Sequence, residues 1–268
     1  MIADYTLIRP LGPSTYGDLY LAAPPGRLAI DADQVVVKVL PEVAAEREFD
    51  RFAREMQALA SVQDSHVVSV LDAGHAAGRL FYAFSYLPLG TLSAHLVEGL
   101  ASELPQAVPA VRDAALGAHA LHEAGIIHRD ISPRTIYVTD DGGILGDLGL
   151  AEVLRPGMTS TGIGPIGGLE YTDTALLRGE RMGRSSDIWS LGATLHRVAT
   201  GESVRPDLPS GDIVTVIRHA LSEPPVIADS CPAALRPVIE QAMDPDPAAR
   251  YADALELARA IDDAESRR

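Results

Sequence analysis

Residues 127–133 read Ile127-His128-Arg129-Asp130-Ile131-Ser132-Pro133, and 17 residues beyond Asp130 stands Asp147, in Gly146-Asp147-Leu148-Gly149. A His-Arg-Asp loop directly after a helical pattern, followed at that distance by an Asp-x-Gly turn, is a specific pairing. Two features upstream join it. The turn after the first strand reads Leu11-Gly12-Pro13-Ser14-Thr15-Tyr16-Gly17-Asp18-Leu19, and glycines let a backbone approach phosphates and offer N–H groups to them. By itself that turn is better read as a plain hairpin. The run Val35-Val36-Val37-Lys38 then ends on a cation.

That cation stands out against the composition. The 268 residues carry 22 basic and 37 acidic side chains, a formal charge of −15, and Lys38 is the single lysine among 21 arginines. A chain that uses arginine for its other cations has placed its one lysine at a strand end. The acidic balance argues against a nucleic-acid or anionic-membrane binder, which needs a basic face for phosphates. With 47% hydrophobic and 22% charged residues the chain can bury a full core. One cysteine, Cys231, excludes an internal disulfide and fits a reducing compartment. No apolar run is long enough to span a bilayer, and the first residues lack a signal-peptide pattern. The expectation is a soluble, cytoplasmic domain.

Periodicity divides the chain. Residues 5–8, 19–22, 35–40, 67–72 and 80–86 read as strands separated by glycine- and proline-rich turns. Between them Phe49, Phe52, Met56 and Leu59 recur at three- and four-residue steps, predicting one amphipathic helix over 42–60. Beyond Pro88 the pattern is helical, at 91–98, 105–124, 187–200, 211–221, 232–243 and 251–264. Short strand-like pieces interrupt it at 136–139 and 144–146. Residues 151–175 form a long stretch rich in Gly, Thr and Ser. The expected fold class is therefore α+β, with a strand-rich lobe followed by a helical one.

Taken together, glycine loop, lysine, His-Arg-Asp and Asp-x-Gly, in this order, make the chain resemble a bacterial Hanks-type Ser/Thr protein kinase domain over residues 5 to about 263. The resemblance implies a two-lobed kinase fold. A single domain would span 1–268, with an N-lobe of about 1–86 and a C-lobe of about 87–268. It also implies roles. Leu11, Gly12, Gly17 and Leu19 would cover ATP, and Lys38 would contact the α- and β-phosphates while pairing with Glu55. Phe84 would line the adenine pocket, with Ser85 to Leu87 as the hinge. Asp130 would be the catalytic base, Asp147 would bind Mg²⁺ (or Mn²⁺), and Asp187 would brace the catalytic loop. Thr159 and Thr161, in the activation segment, are candidate phosphorylation sites whose phosphate Arg129 could receive.

The departures from that family are as specific as the matches. The middle glycine of the phosphate loop is Ser14, preceded by Pro13, which has no N–H. The lysine two residues after the catalytic aspartate is Ser132. The metal-binding asparagine five residues after it is Thr135, a shorter and poorer oxygen ligand. The threonine of the peptide-binding segment is Gly168. Asp173-Thr174-Ala175 replaces Ala-Pro-Glu, so Arg250 is expected to lack the glutamate that such an arginine pairs with. Two readings follow: an ATP-binding Ser/Thr protein kinase with reduced activity, or a pseudokinase that binds nucleotide or a regulatory partner. A small-molecule phosphotransferase fits the loops less closely. His119, His122 and His128 read as core or surface histidines, with no carboxylate set to complete a metal site. Partners implied are a protein substrate and a phosphothreonine-binding domain. The chain could equally be the cytosolic domain of a longer membrane protein.

Overall fold

The computed structural model describes residues 2–14, 17–42, 46–97, 104–147, 166–209 and 211–267. Among the described residues the contacts give two compact units, one built from the stretches up to 64 and from 68–88, the other from 65–67, 89–147 and 166–267. Among the described residues no helix is long and apolar enough to cross a membrane.

The first unit is an antiparallel sheet of β1 (Thr6–Ser14), β2 (Gly17–Ala23), β3 (Val35–Glu42), β4 (Val70–Ala76) and β5 (Arg79–Ser85), ordered β1-β2-β3-β5-β4, with α1 (Glu46–Ala60) packed on β4. The glycine stretch expected as a loop is mostly strand, because β1 continues to Ser14 and β2 resumes at Gly17. Two prolines are tolerated in β1 because it is an edge strand, where a missing N–H breaks no inner ladder. A register shift between Pro10 and Gly12 bends it, and Gly12 takes a φ of 110°. Gly17 is required by space: a Cβ there would lie 2.3 Å from the Val39 carbonyl oxygen. Ser14 donates its hydroxyl to the Gly17 carbonyl at 3.0 Å, tying the two arms together just below the tip.

Alternation along β3 sorts the side chains. Val35, Val37 and Val39 join Tyr5, Ala22, Phe81 and Ala83 in one core, which sends Lys38 to the opposite face of the sheet. β4 begins three residues later than the expected strand. Val67 instead makes a parallel bridge to Leu145 in the second unit, so the apolar run at 67–71 serves two structures.

The second unit is helical: α2 (Leu92–Val97), α3 (Ala107–Glu123), α4 (Thr174–Leu177), α5 (Arg184–Thr200), α6 (Ile213–Ser222), α7 (Arg236–Ala242) and α8 (Ala254–Glu265), with a hairpin of β6 (Ile136–Val138) and β7 (Gly143–Leu145). The short α4 and a 3-10 turn over Ile166–Tyr171 are additions to the sequence reading. α5 starts at Arg184, so Asp187 lies in its first turn rather than opening it. α3 is the central rod, packing on α5, α8 and the hairpin. Its alanines Ala110, Ala114, Ala115 and Ala118 are all buried, and such small side chains allow close approach. The approach is closest at Gly117, where a Cβ would lie 2.4 Å from the His66 carbonyl oxygen, which accepts the Leu145 N–H at 2.8 Å. Gly117→Ala should therefore destabilise the protein by about 1–3 kcal/mol through overpacking. An ordinary helix interior would instead gain about 1 kcal/mol from that change. Chemical denaturation of the two proteins gives the sign.

Candidate functional site

The His-Arg-Asp loop leaves α3 and is held at its start by one carboxylate. Asp187 is 1% exposed. It accepts the His128 N–H at 2.9 Å and the Arg129 N–H at 2.9 Å, and stands 2.7 Å from His122 Nε2. Three donors converge on a side chain fixed in the first turn of α5. His128, itself buried, sits with Nε2 2.9 Å from the Gly146 carbonyl oxygen, and its Nδ1 accepts the Asp130 N–H at 3.3 Å. With Nδ1 accepting, Nε2 carries the proton and donates to Gly146. One ring thus joins the loop of Asp130 to the backbone immediately before Asp147.

Both aspartates sit beside unusual backbone. Arg129 has φ 72° and Asp147 φ 57°, left-handed values that cost a non-glycine residue free energy and occur where surrounding contacts over-determine the chain. Asp147 follows β7 by two residues, and Gly146 donates its N–H to the Thr135 carbonyl at 2.8 Å. Burial, and then the negative charge of Asp147, push the Tyr137 phenol well above its usual range.

Thr135, expected as a metal ligand, is tied into its own loop. Its side chain is buried, and its hydroxyl lies 3.1 Å from the carbonyls of Asp130 and Ser132 while accepting the Ser132 N–H at 3.1 Å. The hydroxyl closes a turn of its own loop. The Ser132 hydroxyl is buried with no hydrogen-bond partner among the described residues. No group of three or more His, Cys, Asp or Glu among the described residues is arranged to hold a metal, and the histidine cluster resolves into His122 on Asp187 and His128 on Gly146.

In the first unit, Lys38 is 1% exposed on β3, its register partners being Leu19 on β2 and Tyr82 on β5, and its Nζ lies 5.9 Å from the Tyr82 ring centre. Glu55 is half-buried on α1, one residue before the buried Met56. Phe84 is buried in β5 beside Tyr82, Ser85 is exposed at the strand end, and Leu87 is half-buried beyond it. Leu11, Gly12, Gly17 and Leu19 are half-buried along the β1–β2 arms. The candidate phosphorylation sites Thr159 and Thr161 lie outside the described residues.

The expectation for Arg250 is corrected. Its guanidinium has a carboxylate partner, Asp173, at 2.6 and 3.1 Å, with both side chains 2% exposed or less. The carboxylate has moved two residues towards the N-terminus from the position where it was sought. From there it also caps α4 by accepting the Ala175 N–H at 3.0 Å. Sequence reasoning missed a second anchor of this segment. Arg205 is buried, donates to Thr174 Oγ1 at 2.8 Å and to the Ala220 carbonyl at 2.9 Å, and lies over the Trp189 ring at 5.6 Å. Burial lowers its pKa to about 10, and nothing in its sequence surroundings, Ser203-Val204-Arg205-Pro206, marks it as an anchor.

The model for protein tyrosine and serine/threonine kinases matches residues 5–256. The chain belongs to the protein kinase family. It is 30% identical over 270 residues to the serine/threonine-protein kinase PknJ of Mycobacterium tuberculosis, covering 97% of this chain and 45% of that protein. It is 32% identical over 278 residues to the probable serine/threonine-protein kinase PkwA of Thermomonospora curvata, covering 96% and 34%. These kinases are thus matched over less than half of their length. Among solved structures, the kinase domain of Mycobacterium tuberculosis PknI aligns with a TM-score of 0.73 at 25% identity, covering 99% of this chain and 97% of that one. The two-lobed α+β kinase fold expected from the sequence is the fold found. Kinases of this family use ATP and a divalent metal ion, and they act on proteins.

The Asp173–Arg250 pair makes a quantitative prediction. Removing one partner of a buried ion pair leaves the other charge unsatisfied, so Arg250→Ala should cost about 3–5 kcal/mol of stability. A buried pair is often replaceable by apolar side chains, so Asp173→Leu combined with Arg250→Met should recover much of that loss. Denaturant midpoints of the single and double variants check both statements.

Proposed function

We propose that this single kinase domain transfers the γ-phosphate of ATP to Ser or Thr hydroxyls of proteins, in the cytoplasm, at a reduced rate. The observation that carries the reading is the bracing of the Asp130 loop by Asp187. Holding a catalytic carboxylate in place before substrate arrives is the larger part of what a phosphotransferase must do. In this reading Asp130 orients the acceptor hydroxyl and takes its proton. Lys38 neutralises the α- and β-phosphates and pairs with Glu55. Backbone N–H groups around Gly12 and Gly17, between Leu11 and Leu19, cover the phosphates. Phe84 and the 85–87 strand end receive the adenine. Asp147 holds Mg²⁺, with Mn²⁺ as the substitute, and the metal supplies charge neutralisation at the transferred phosphate. Phosphorylation at Thr159 or Thr161 would regulate the domain and offer a docking point for a phosphothreonine-binding domain.

The donor set fits one metal-binding carboxylate better than a complete site, because the Thr135 hydroxyl is engaged by its own loop. Losing one preorganised contact to developing charge costs about 10²–10³ in rate. Kinases with complete sites turn over at about 1–100 s⁻¹, so losing two such contacts leaves no more than about 10⁻² s⁻¹. That engagement of Thr135 also favours a second reading, a pseudokinase that binds nucleotide or a regulatory partner without turnover.

Radiolabelled ATP with Mg²⁺ or Mn²⁺ at micromolar enzyme separates the two. The proposal expects autophosphorylation or transfer to a protein substrate that disappears in Asp130→Asn. Label equal to that control removes the kinase reading. Lys38→Met should weaken nucleotide binding at least about tenfold by removing a charge-assisted contact. Equal titration curves for wild type and variant would remove the proposed nucleotide contacts.

A further inference from the structure

Four residues beyond Asp130, Arg134 carries a guanidinium whose Nε and Nη2 are buried and accepted by nothing among the described residues. The same holds for Nε of Arg197, in the last turn of α5. A buried donor without an acceptor costs about 1–3 kcal/mol, and two guanidinium groups left so call for an explanation. The carboxylate that approaches Arg197 does not provide it. Glu170 Oε1 stands 3.7 Å from Arg197 Nη1, beyond hydrogen-bond distance, and is itself without a hydrogen-bond partner among the described residues. Burial holds the Glu170 carboxyl above its usual range, against the opposing pull of Arg197, of side-chain hydrogen bonds from Ser203 and Tyr171 and, last, of Arg134. Two permanent cations therefore face one carboxylate whose Oε1 has no hydrogen-bond donor among the described residues, on a protein whose formal charge is −15.

The position of this cluster gives it meaning. A Cβ on Gly168 would lie 3.4 Å from Arg134 Nη2, so the guanidinium rests against the backbone of the 166–171 turn. Gly168 and Tyr171 in turn line one small cavity with Asp130 and Arg129. Arg197 remains 30% exposed at the side chain, within reach of a ligand from solvent.

We propose that Arg134 and Arg197 form an anion-binding subsite that takes an acidic side chain of the protein substrate, flanking the hydroxyl presented to Asp130. A carboxylate or a phosphoryl group supplies the two in-plane acceptors that a guanidinium fork matches, which a lysine or a neutral side chain cannot. Glu170 then serves as the internal counter-ion that the substrate displaces. The inference deepens the phosphotransfer reading and rests on it for the identity of the ligand as substrate.

The test measures binding and transfer separately, on the full 268-residue chain. Fluorescently labelled serine peptides differ only in whether the positions within four residues of the acceptor carry Asp, phosphoserine, Ala or Arg. Anisotropy should give at least about tenfold tighter binding for the Asp or phosphoserine peptides than for the Ala peptide, as one charge-assisted pair supplies. Arg134→Gln with Arg197→Gln should bring all peptides to within about twofold of each other, and Glu170→Gln should widen the preference. Should the double variant lose its thermal transition, Arg134→Lys and Arg197→Lys decide, since they keep charge while removing the fork. Each should lose part of the preference. Peptides bound alike by wild type, or by none of them at millimolar concentration, overturn the subsite. A preference that survives the double variant does so too. An acidic preference in binding without any phosphate transfer keeps the subsite and removes the kinase reading. Transfer at equal kcat/KM to Asp and Ala peptides keeps the kinase reading and removes the subsite.

Discussion

A carboxylate with three donors on it organises the second unit. Asp187 comes from α5, His122 from the end of α3, and the two amides from the loop that leads to Asp130. Without that carboxylate, two backbone N–H groups would lose their acceptor and the left-handed turn at Arg129 would lose a restraint. His128 then carries the order one step further, to the backbone next to Asp147. The geometry of both acidic loops is therefore inherited from a helix that contributes no reacting atom. Helices are suited to that task because their packing faces are the least mobile parts of a domain.

The architecture was legible where period and chemistry agreed. The switch from twofold alternation to a 3.6-residue repeat near residue 88 marked the change from sheet to helix, whereas the continuous apolar run around Lys38 left open which face of the sheet it takes. The reading strayed where a run of apolar residues serves two partners. Val67 looks like the start of a strand in the first unit, yet it bridges to Leu145 in the second, and no local pattern distinguishes those fates. Glycine spacing marked the phosphate-loop stretch but not how far its strands extend, which depends on cross-strand register.

The site was legible by type and order rather than by partner. Asp130 and Asp147 stand in the loops that the sequence singles out, and Asp187 in the first turn of α5. The pairing of Arg250 was not legible, because the search assumed a fixed position for its acid, whereas a side chain two residues away in a short helix reaches the same guanidinium. Arg205 and Arg134 were invisible for a related reason. An arginine in sequence carries no sign of whether its head is solvated, stacked on Trp189 or pressed against a glycine. In this chain arginine serves as surface charge, as structural bolt and, at 134 and 197, as a group with capacity left over.

The burial of Lys38 has a further consequence. Because it is the single lysine and only 1% exposed, every reaction that needs a side-chain primary amine has one address on this protein, and that address lies inside. Acylation, reductive alkylation and isopeptide attachment at a side chain would each report on the opening of one strand face. The surface side chains are closed to the modifications by which lysines are usually tagged, and their arginine cations can change charge state by no simple acyl transfer.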